Sequence, residues 1–168
     1  EHLRIPYTHS GILSSAMAMD KITSKILFKN AKINLPKYRV IRNLEEFRNS
    51  EIEYPCVVKP NNEGSSVGVY IFNELSKNNE ETLISLLKKY GLIIMEKYIP
   101  GREIQVAVMG SKALGAIEII PTRSFYDYTA KYSVDAKTKH IIPVKMNEAD
   151  YKNILETALH AHNILGCK

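Results

Sequence analysis

Apolar residues recur at helical spacing in three long stretches of the chain. Residues 10–33 carry two successive apolar stripes and predict two helices, with Asp20 placed to cap the second. Residues 78–91 have acids near the start, lysines near the end and a glycine, Gly91, as the last residue. Residues 147–166 also end in a glycine, Gly166. Both stretches therefore predict helices, and a shorter helix over 43–49 is predicted after the capping residue Asn43.

Seven short runs rich in β-branched and apolar residues predict strands between these helices. They cover residues 37–41, 54–60, 68–72, 92–99, 102–110, 111–121 and 140–144. The second and third runs are expected to pair as neighbours, and 102–110 and 111–121 form a hairpin across Gly110-Ser111. Hairpins with helices between them are typical of an α+β fold, in which helices pack on antiparallel sheets.

The segment "VVKPNNEGSSVGV" (57–69) joins two predicted strands through a loop of small polar residues. Such a loop lets main-chain N–H groups approach a phosphate, and Lys59 would place a positive charge at its mouth. The loop supplies glycines that can take a positive φ and hydroxyl donors, at Gly64, Gly68, Ser65 and Ser66. A plain hairpin loop with incidental glycines is the alternative, and the segment is neither a Walker A nor a GxGxxG motif.

A second motif, "IIMEKYIPGRE", follows about thirty residues later. A strand that turns at Pro100-Gly101 exposes main-chain groups, which can bind the edge of an adenine ring. Glu96 and Glu103 lie on either side of that turn, and a carboxylate can accept hydrogen bonds from both ribose hydroxyls. Taken alone, such a pair more often consists of surface acids at a solvated strand end.

Composition narrows the function class only slightly. The net charge of +5 comes from dispersed lysines without the aromatic-basic stripe of a single-strand binder, so nucleic acid is not an expected partner. The sequence has no membrane-length apolar run and no secretory pattern. Cys56 and Cys167 lack metal or redox spacing, which favours a reducing, cytoplasmic setting, with Cys56 as a core residue.

In combination these motifs resemble the D-alanine–D-alanine ligases of the ATP-grasp superfamily. "IPYTHSGILSSAMAMDKITSK", the two motifs above, "FYDYTAKY" and "LGCK" occur in the family's order. The resemblance implies two subdomains with antiparallel sheets flanked by helices, which together hold ATP. Residues 1–20 would end an amino-terminal domain, 21–98 would form the central subdomain, and 99–168 would begin a truncated carboxy-terminal subdomain.

The resemblance implies that one D-alanine is activated by ATP as an acyl phosphate and joined to a second D-alanine, for peptidoglycan precursor synthesis. Lys21 and Lys59 would contact phosphates, while Glu96 would accept from the adenine amino group. The other implied ATP contacts are the loop residues Ser65, Ser66 and Val67, main-chain groups of Lys97 and Ile99, the ribose-binding Glu103 and the base-packing Phe125.

"FYDYTAKYS" would be the loop that closes over the reacting groups. Lys131 would reach the transferring phosphate, and Tyr132 would hydrogen-bond Ser65, so that Ser65, Tyr126, Lys131 and Tyr132 form the expected catalytic set. In the family a tyrosine at the position of Tyr132 accompanies dipeptide formation, and a phenylalanine accompanies ester formation with D-lactate. The sequence thus favours D-alanine as second substrate, with a D-alanine–D-lactate ligase as the alternative.

Several expectations concern what the chain lacks. The family's Mg²⁺ (or Mn²⁺) ligands would follow Lys168, and an acid near the first substrate would precede Glu1, so we expect a fragment that is inactive alone. The intact enzyme is expected to be a homodimer. His9 stands where the family commonly has glycine and receives no role. A non-catalytic nucleotide-binding module on the same scaffold, and a nucleic-acid binder suggested only by the charge, are the competing interpretations.

Overall fold

A computed structural model describes residues 3–121 and 138–168, and within these residues the chain forms five helices and seven strands. The helices are α1 (Ile12–Met19), α2 (Lys21–Asn30), α3 (Leu44–Arg48), α4 (Lys77–Tyr90) and α5 (Glu148–Ile164). The strands are β1 (Tyr38–Ile41), β2 (Cys56–Pro60), β3 (Tyr70–Phe72), β4 (Ile93–Lys97), β5 (Glu103–Met109), β6 (Lys112–Ile120) and β7 (Lys139–Ile141). The chain divides into two compact units, one formed by residues 35–100 and the other by residues 1–34 and 101–168.

The unit of residues 35–100 contains a four-stranded antiparallel sheet in the order β1-β4-β2-β3. Alternate residues of each strand point to opposite faces of the sheet. One face carries Val58, Met95 and Phe72, which belong to a buried cluster with Phe47 of α3 and Leu83 of α4. The rings of Phe47 and Phe72 meet edge-on, with centroids 6.1 Å apart. This face is therefore the hydrophobic core of the unit.

The opposite face of the same sheet has a different composition. Strand register places Val57, Lys59, Ile94 and Glu96 on it, because each lies one residue away from a core-facing neighbour. Ile94 is fully buried, whereas Val57 is only partly so. The face combines apolar side chains with two opposite charges, a combination that is typical of ligand-binding surfaces.

The other unit contains the three-stranded antiparallel sheet β5-β6-β7, whose β5–β6 hairpin turns at Gly110 with a left-handed φ of 57°. Helix α5 packs against β5 and β6, and α1 and α2 follow one another around Asp20. The side chain of Asp20 accepts from the N–H of Thr23, so Asp20 caps α2 as predicted. No described helix is long and apolar enough to cross a membrane.

The predicted elements are all present, with ends that differ by a few residues; β7, predicted over 140–144, spans Lys139–Ile141. Asn43 caps α3 by accepting from the N–H of Glu46, and Gly91 (φ 76°) and Gly166 (φ 66°) follow their helices. Strand β3 begins only at Tyr70, two residues later than predicted. Cys56 is fully buried in the core, and burial raises the pKa of its thiol to about 11. The predicted subdomain boundaries stay a prediction, since compact units and family subdomains are different divisions of a chain.

Candidate nucleotide-binding site

An ion pair between Lys59 and Glu96 lies on the face of the four-stranded sheet opposite the core. The Lys59 ammonium nitrogen contacts Oε1 of Glu96, and the two side chains retain 20% and 9% of their exposure. Lys59 pairs in register with Ile94, so Lys59 and Glu96 are diagonal neighbours on adjacent strands, a separation that a long lysine side chain can span. The sheet itself thus brings these two predicted site residues together.

Two main-chain N–H groups at the end of β4 are already hydrogen-bonded within the same unit. The Lys97 N–H donates to the Lys37 carbonyl at 2.9 Å, and the Tyr98 N–H donates to the Pro55 carbonyl at 3.0 Å. Ile99, by contrast, is 61% exposed. After Tyr98, the Ile99 N–H is the next main-chain donor along the chain. The side chain of Lys97 bonds Glu53 at 2.5 Å on the core-facing side of the strand.

The serine-bearing loop forms a tight turn with two consecutive left-handed residues. Ser65 and Ser66 have φ values of 51° and 61°, and the Val67 N–H donates to the Gly64 carbonyl at 2.9 Å. This is the pattern of a type I′ turn, whose central positions normally hold Asn and Gly because side chains are disfavoured there. Gly64 itself does not have a left-handed φ, so the two serines rather than this glycine carry the unusual backbone.

Gly68 closes the base of the same loop. It has a φ of 70°, and a Cβ atom there would lie 2.8 Å from Cγ of Pro60, the last residue of β2. Only glycine fits such a close approach without displacing the proline ring. Proline at the end of the strand and glycine at the end of the loop therefore fix how the loop leaves β2 and returns to the sheet.

Two further predicted residues belong to the other unit. Lys21 is the first residue of α2 and is partly buried, and Glu103 is the exposed first residue of β5. Phe125, Tyr126, Lys131 and Tyr132 lie outside the described residues. In residues 3–121 and 138–168, no three His, Cys, Asp or Glu side chains are grouped to hold a metal ion.

Comparison with known proteins identifies the family to which this arrangement belongs. The family model described as "D-ala D-ala ligase C-terminus" matches residues 27–168. The chain belongs to this ligase family. A D-alanine–D-alanine ligase from Pelagibacter ubique is 48% identical over 174 residues, which cover 100% of this chain and 56% of that protein.

Solved structures agree with this membership. The crystal structure of a D-alanine–D-alanine ligase from Bacillus anthracis matches with a TM-score of 0.81 and 31% identity, covering 99% of this chain and 55% of that one. A Bacillus anthracis D-alanine–D-alanine ligase complexed with ATP matches with a TM-score of 0.73 and 30% identity, covering 99% and 54%. The predicted α+β, ATP-grasp fold of this ligase family is confirmed, and the chain spans about half the length of the relatives that it matches.

Sequence reasoning missed two ion pairs near these residues. It assigned Lys59 and Glu96 separate roles, although the structure bonds them to one another. It also left Arg102 and Glu118 without a role, although they form a two-bond ion pair next to Glu103. The available signal was a charged residue within an otherwise apolar predicted strand, because such a charge requires a partner when it is buried.

Proposed function

We propose that this chain is part of an ATP-dependent D-alanine–D-alanine ligase, a carbon–nitrogen ligase that supplies a dipeptide for peptidoglycan precursors. The observation that carries the proposal is the Lys59–Glu96 pair on an apolar sheet face, next to the strand end and the serine turn, within a chain of this ligase family. On family grounds we place the whole protein in the cytoplasm as a homodimer that uses Mg²⁺ or Mn²⁺ with ATP.

The base of ATP is proposed to bind along the end of β4. Glu96 supplies a carboxylate acceptor for the adenine amino group, and the Lys97 carbonyl and Ile99 N–H offer one acceptor and one donor to the ring edge. A purine ring suits the partly exposed apolar face beside Glu96, where Val57 and Ile71 are half-buried. Glu103 accepts from the ribose hydroxyls, and Phe125 packs on the base.

The phosphates are proposed to be bound by cations and by the serine turn. Lys21 and Lys59 neutralise their charge, and the main-chain groups of Ser65, Ser66 and Val67 close over them. Because Lys59 already bonds Glu96, a nucleotide must either share that pair or rearrange it. Lys59 therefore links recognition of the base to binding of the phosphates.

Ligation is proposed to proceed in two steps. A carboxylate oxygen of the first D-alanine attacks the γ-phosphorus of ATP, and ADP leaves with the formation of an acyl phosphate. The amine of the second D-alanine then attacks the acyl carbonyl, loses a proton and expels phosphate. Lys131 stabilises the transferring phosphoryl group, while Tyr126, Tyr132 and Ser65 position the substrates and exclude water, which would hydrolyse the intermediate.

The test is product formation by the full-length protein that carries this sequence. With D-alanine and ATP we expect D-alanyl-D-alanine and phosphate in equal amounts, and replacement of D-alanine by L-alanine should abolish both. Nucleotide binding without dipeptide formation would instead favour a non-catalytic module. Release of ester rather than dipeptide in the presence of D-lactate would favour the depsipeptide ligase, and Tyr132→Phe measures how strongly Tyr132 directs that choice.

A further inference from the structure

Arg102 and Glu118 form a two-bond ion pair at the start of β5. Nε of Arg102 donates to Oε1 of Glu118 at 2.7 Å, and an Nη atom donates to Oε2, also at 2.7 Å. Glu118 is only 8% exposed, and the guanidinium lowers the pKa of its carboxyl group below the ordinary value. Such parallel bonds fix the orientation as well as the distance of the two groups.

The position of this pair along the chain makes its geometry important. Arg102 follows Gly101, whose φ is 158°, and directly precedes Glu103, at which the pairing of β5 with β6 begins. The residues just before Arg102 belong to neither a helix nor a strand. The ion pair therefore anchors the chain at the point where it enters the sheet.

Strand register shows how this anchor acts on Glu103. Ile104 pairs with Glu118 and Glu103 pairs with Ile119, so Arg102 and Glu118 share one face and Glu103 projects from the other. Successive side chains of a strand point in opposite directions. Fixing the backbone at Arg102 against β6 consequently fixes the direction in which the Glu103 carboxylate leaves the strand.

We propose that Arg102, held by Glu118, is a positioning residue that aims Glu103 at the ribose of the nucleotide. The proposal rests on the proposed function only in so far as Glu103 binds the ribose hydroxyls. Arg102 does not contact the nucleotide, so its effect should appear only when the hydroxyls are present. A merely structural role would weaken the binding of all nucleotides equally.

The experiment compares ATP with 2′,3′-dideoxy-ATP as ligands of the full-length protein, with dissociation constants measured by calorimetry. A hydrogen bond to a charged group contributes about 1.5–3 kcal/mol, so the unmodified protein should prefer ATP by about tenfold or more. Arg102→Met should reduce that preference by about three- to tenfold while leaving the affinity for dideoxy-ATP unchanged. Arg102→Lys keeps the charge but lacks the fork of donors, so its preference for ATP should lie between those of the unmodified protein and of Arg102→Met.

The Arg48–Glu80 pair provides a matched control. It also has two short bonds, of 2.6 and 2.8 Å, with the arginine similarly exposed, but it joins α3 to α4 and includes none of the residues proposed to contact the nucleotide. Arg48→Met should leave the preference for ATP unchanged. Glu103→Gln should reduce the preference, and adding Arg102→Met to it should cause little further loss, because the two residues act through one contact.

Each outcome decides the matter. An unchanged preference in Arg102→Met, or equal weakening of both nucleotides, overturns the positioning role while leaving ATP binding intact. No preference in the unmodified protein overturns the ribose contact of Glu103 and the positioning role with it. Dipeptide synthesis is measured separately, so the ligase function can stand or fail independently of this result.

Discussion

Two lysine–glutamate ion pairs that involve neighbouring residues of β4 differ in how deeply they are buried. Glu96 bonds Lys59 on the side opposite the core, where the two side chains are 9% and 20% exposed. Lys97 bonds Glu53 on the core-facing side at the strand end, where the two side chains are 47% and 71% exposed. Burying opposite charges costs desolvation energy that their attraction barely repays, whereas an exposed pair costs and contributes little.

The comparison suggests that the buried pair is retained for binding rather than for stability. The serine turn also costs stability, because left-handed backbone is unfavourable for Ser65 and Ser66. Locally unfavourable features, such as strained backbone, are common at functional sites. The buried pair and the serine turn are both among the residues that we propose for ATP binding, whereas the exposed Glu53 is not.

The largest effect is expected from Glu96→Gln. It leaves the partly buried ammonium of Lys59 without its charged partner, so the free energy of unfolding should fall by about 3–5 kcal/mol. Urea denaturation measures the change. Glu53→Gln removes the partner of Lys97 on the core-facing side of β4; it is the matched control and should lower the free energy of unfolding much less. Comparable losses in the two variants would show that the two pairs do not differ in their effect on stability.

Replacing both partners of the buried pair separates stability from function. The double variant Lys59→Met with Glu96→Leu removes both charges while keeping similar volume, so its free energy of unfolding should return to within about 1 kcal/mol of the unmodified protein or exceed it. ATP binding should nevertheless be lost. A stable double variant that still binds ATP with unchanged affinity would show that the pair has no part in the site.

Ser66→Gly tests the unfavourable backbone of the loop. Glycine adopts a φ of 61° without the cost of about 1–2 kcal/mol that a side chain incurs, although its greater freedom in the unfolded chain offsets part of the gain. The free energy of unfolding should rise by about 0.5–1 kcal/mol. Gly68→Ala should change it in the opposite direction because of the 2.8 Å approach to Pro60, and a loss of stability in Ser66→Gly would mean that the turn is not strained.

The smallest expected effect concerns the pH response of the exposed pair. Hydrogen bonding and attraction from Lys97 lower the pKa of Glu53 below its ordinary value of 4.5. A carboxyl group with a lowered folded pKa stabilises the protein above its unfolded pKa, and this contribution is lost as the pH falls through the folded value. NMR titration of the Glu53 carboxyl carbon should therefore show a midpoint below about 4.5, and Lys97→Met should return it towards that value.

Local patterns were enough to predict the elements of the fold. Asp20 and Asn43 cap helices because a short polar side chain before an apolar stripe can accept from the first turn. Alternation from Ile104 to Val108 predicted a half-buried strand, and the structure has that alternation. The periodicity of α1 predicted a helix, but Ile12 and Met19 remain 65% and 51% exposed, since periodicity does not show what covers a face.

Features that depend on non-local pairing were not predictable from the sequence. The bond between Lys59 and Glu96 requires β4 to lie beside β2, although they are more than thirty residues apart. The bond between Arg102 and Glu118 depends on the register of the β5–β6 hairpin. The left-handed serines were missed because the glycines of the loop were the expected residues for that backbone.

The most direct test of the account is a crystal structure of the full-length protein with a non-hydrolysable ATP analogue. We expect the adenine amino group at about 3 Å from the Glu96 carboxylate, with phosphate oxygens beside the ammonium groups of Lys21 and Lys59. A nucleotide bound elsewhere, with the Lys59–Glu96 pair covered by protein and out of its reach, would contradict the account.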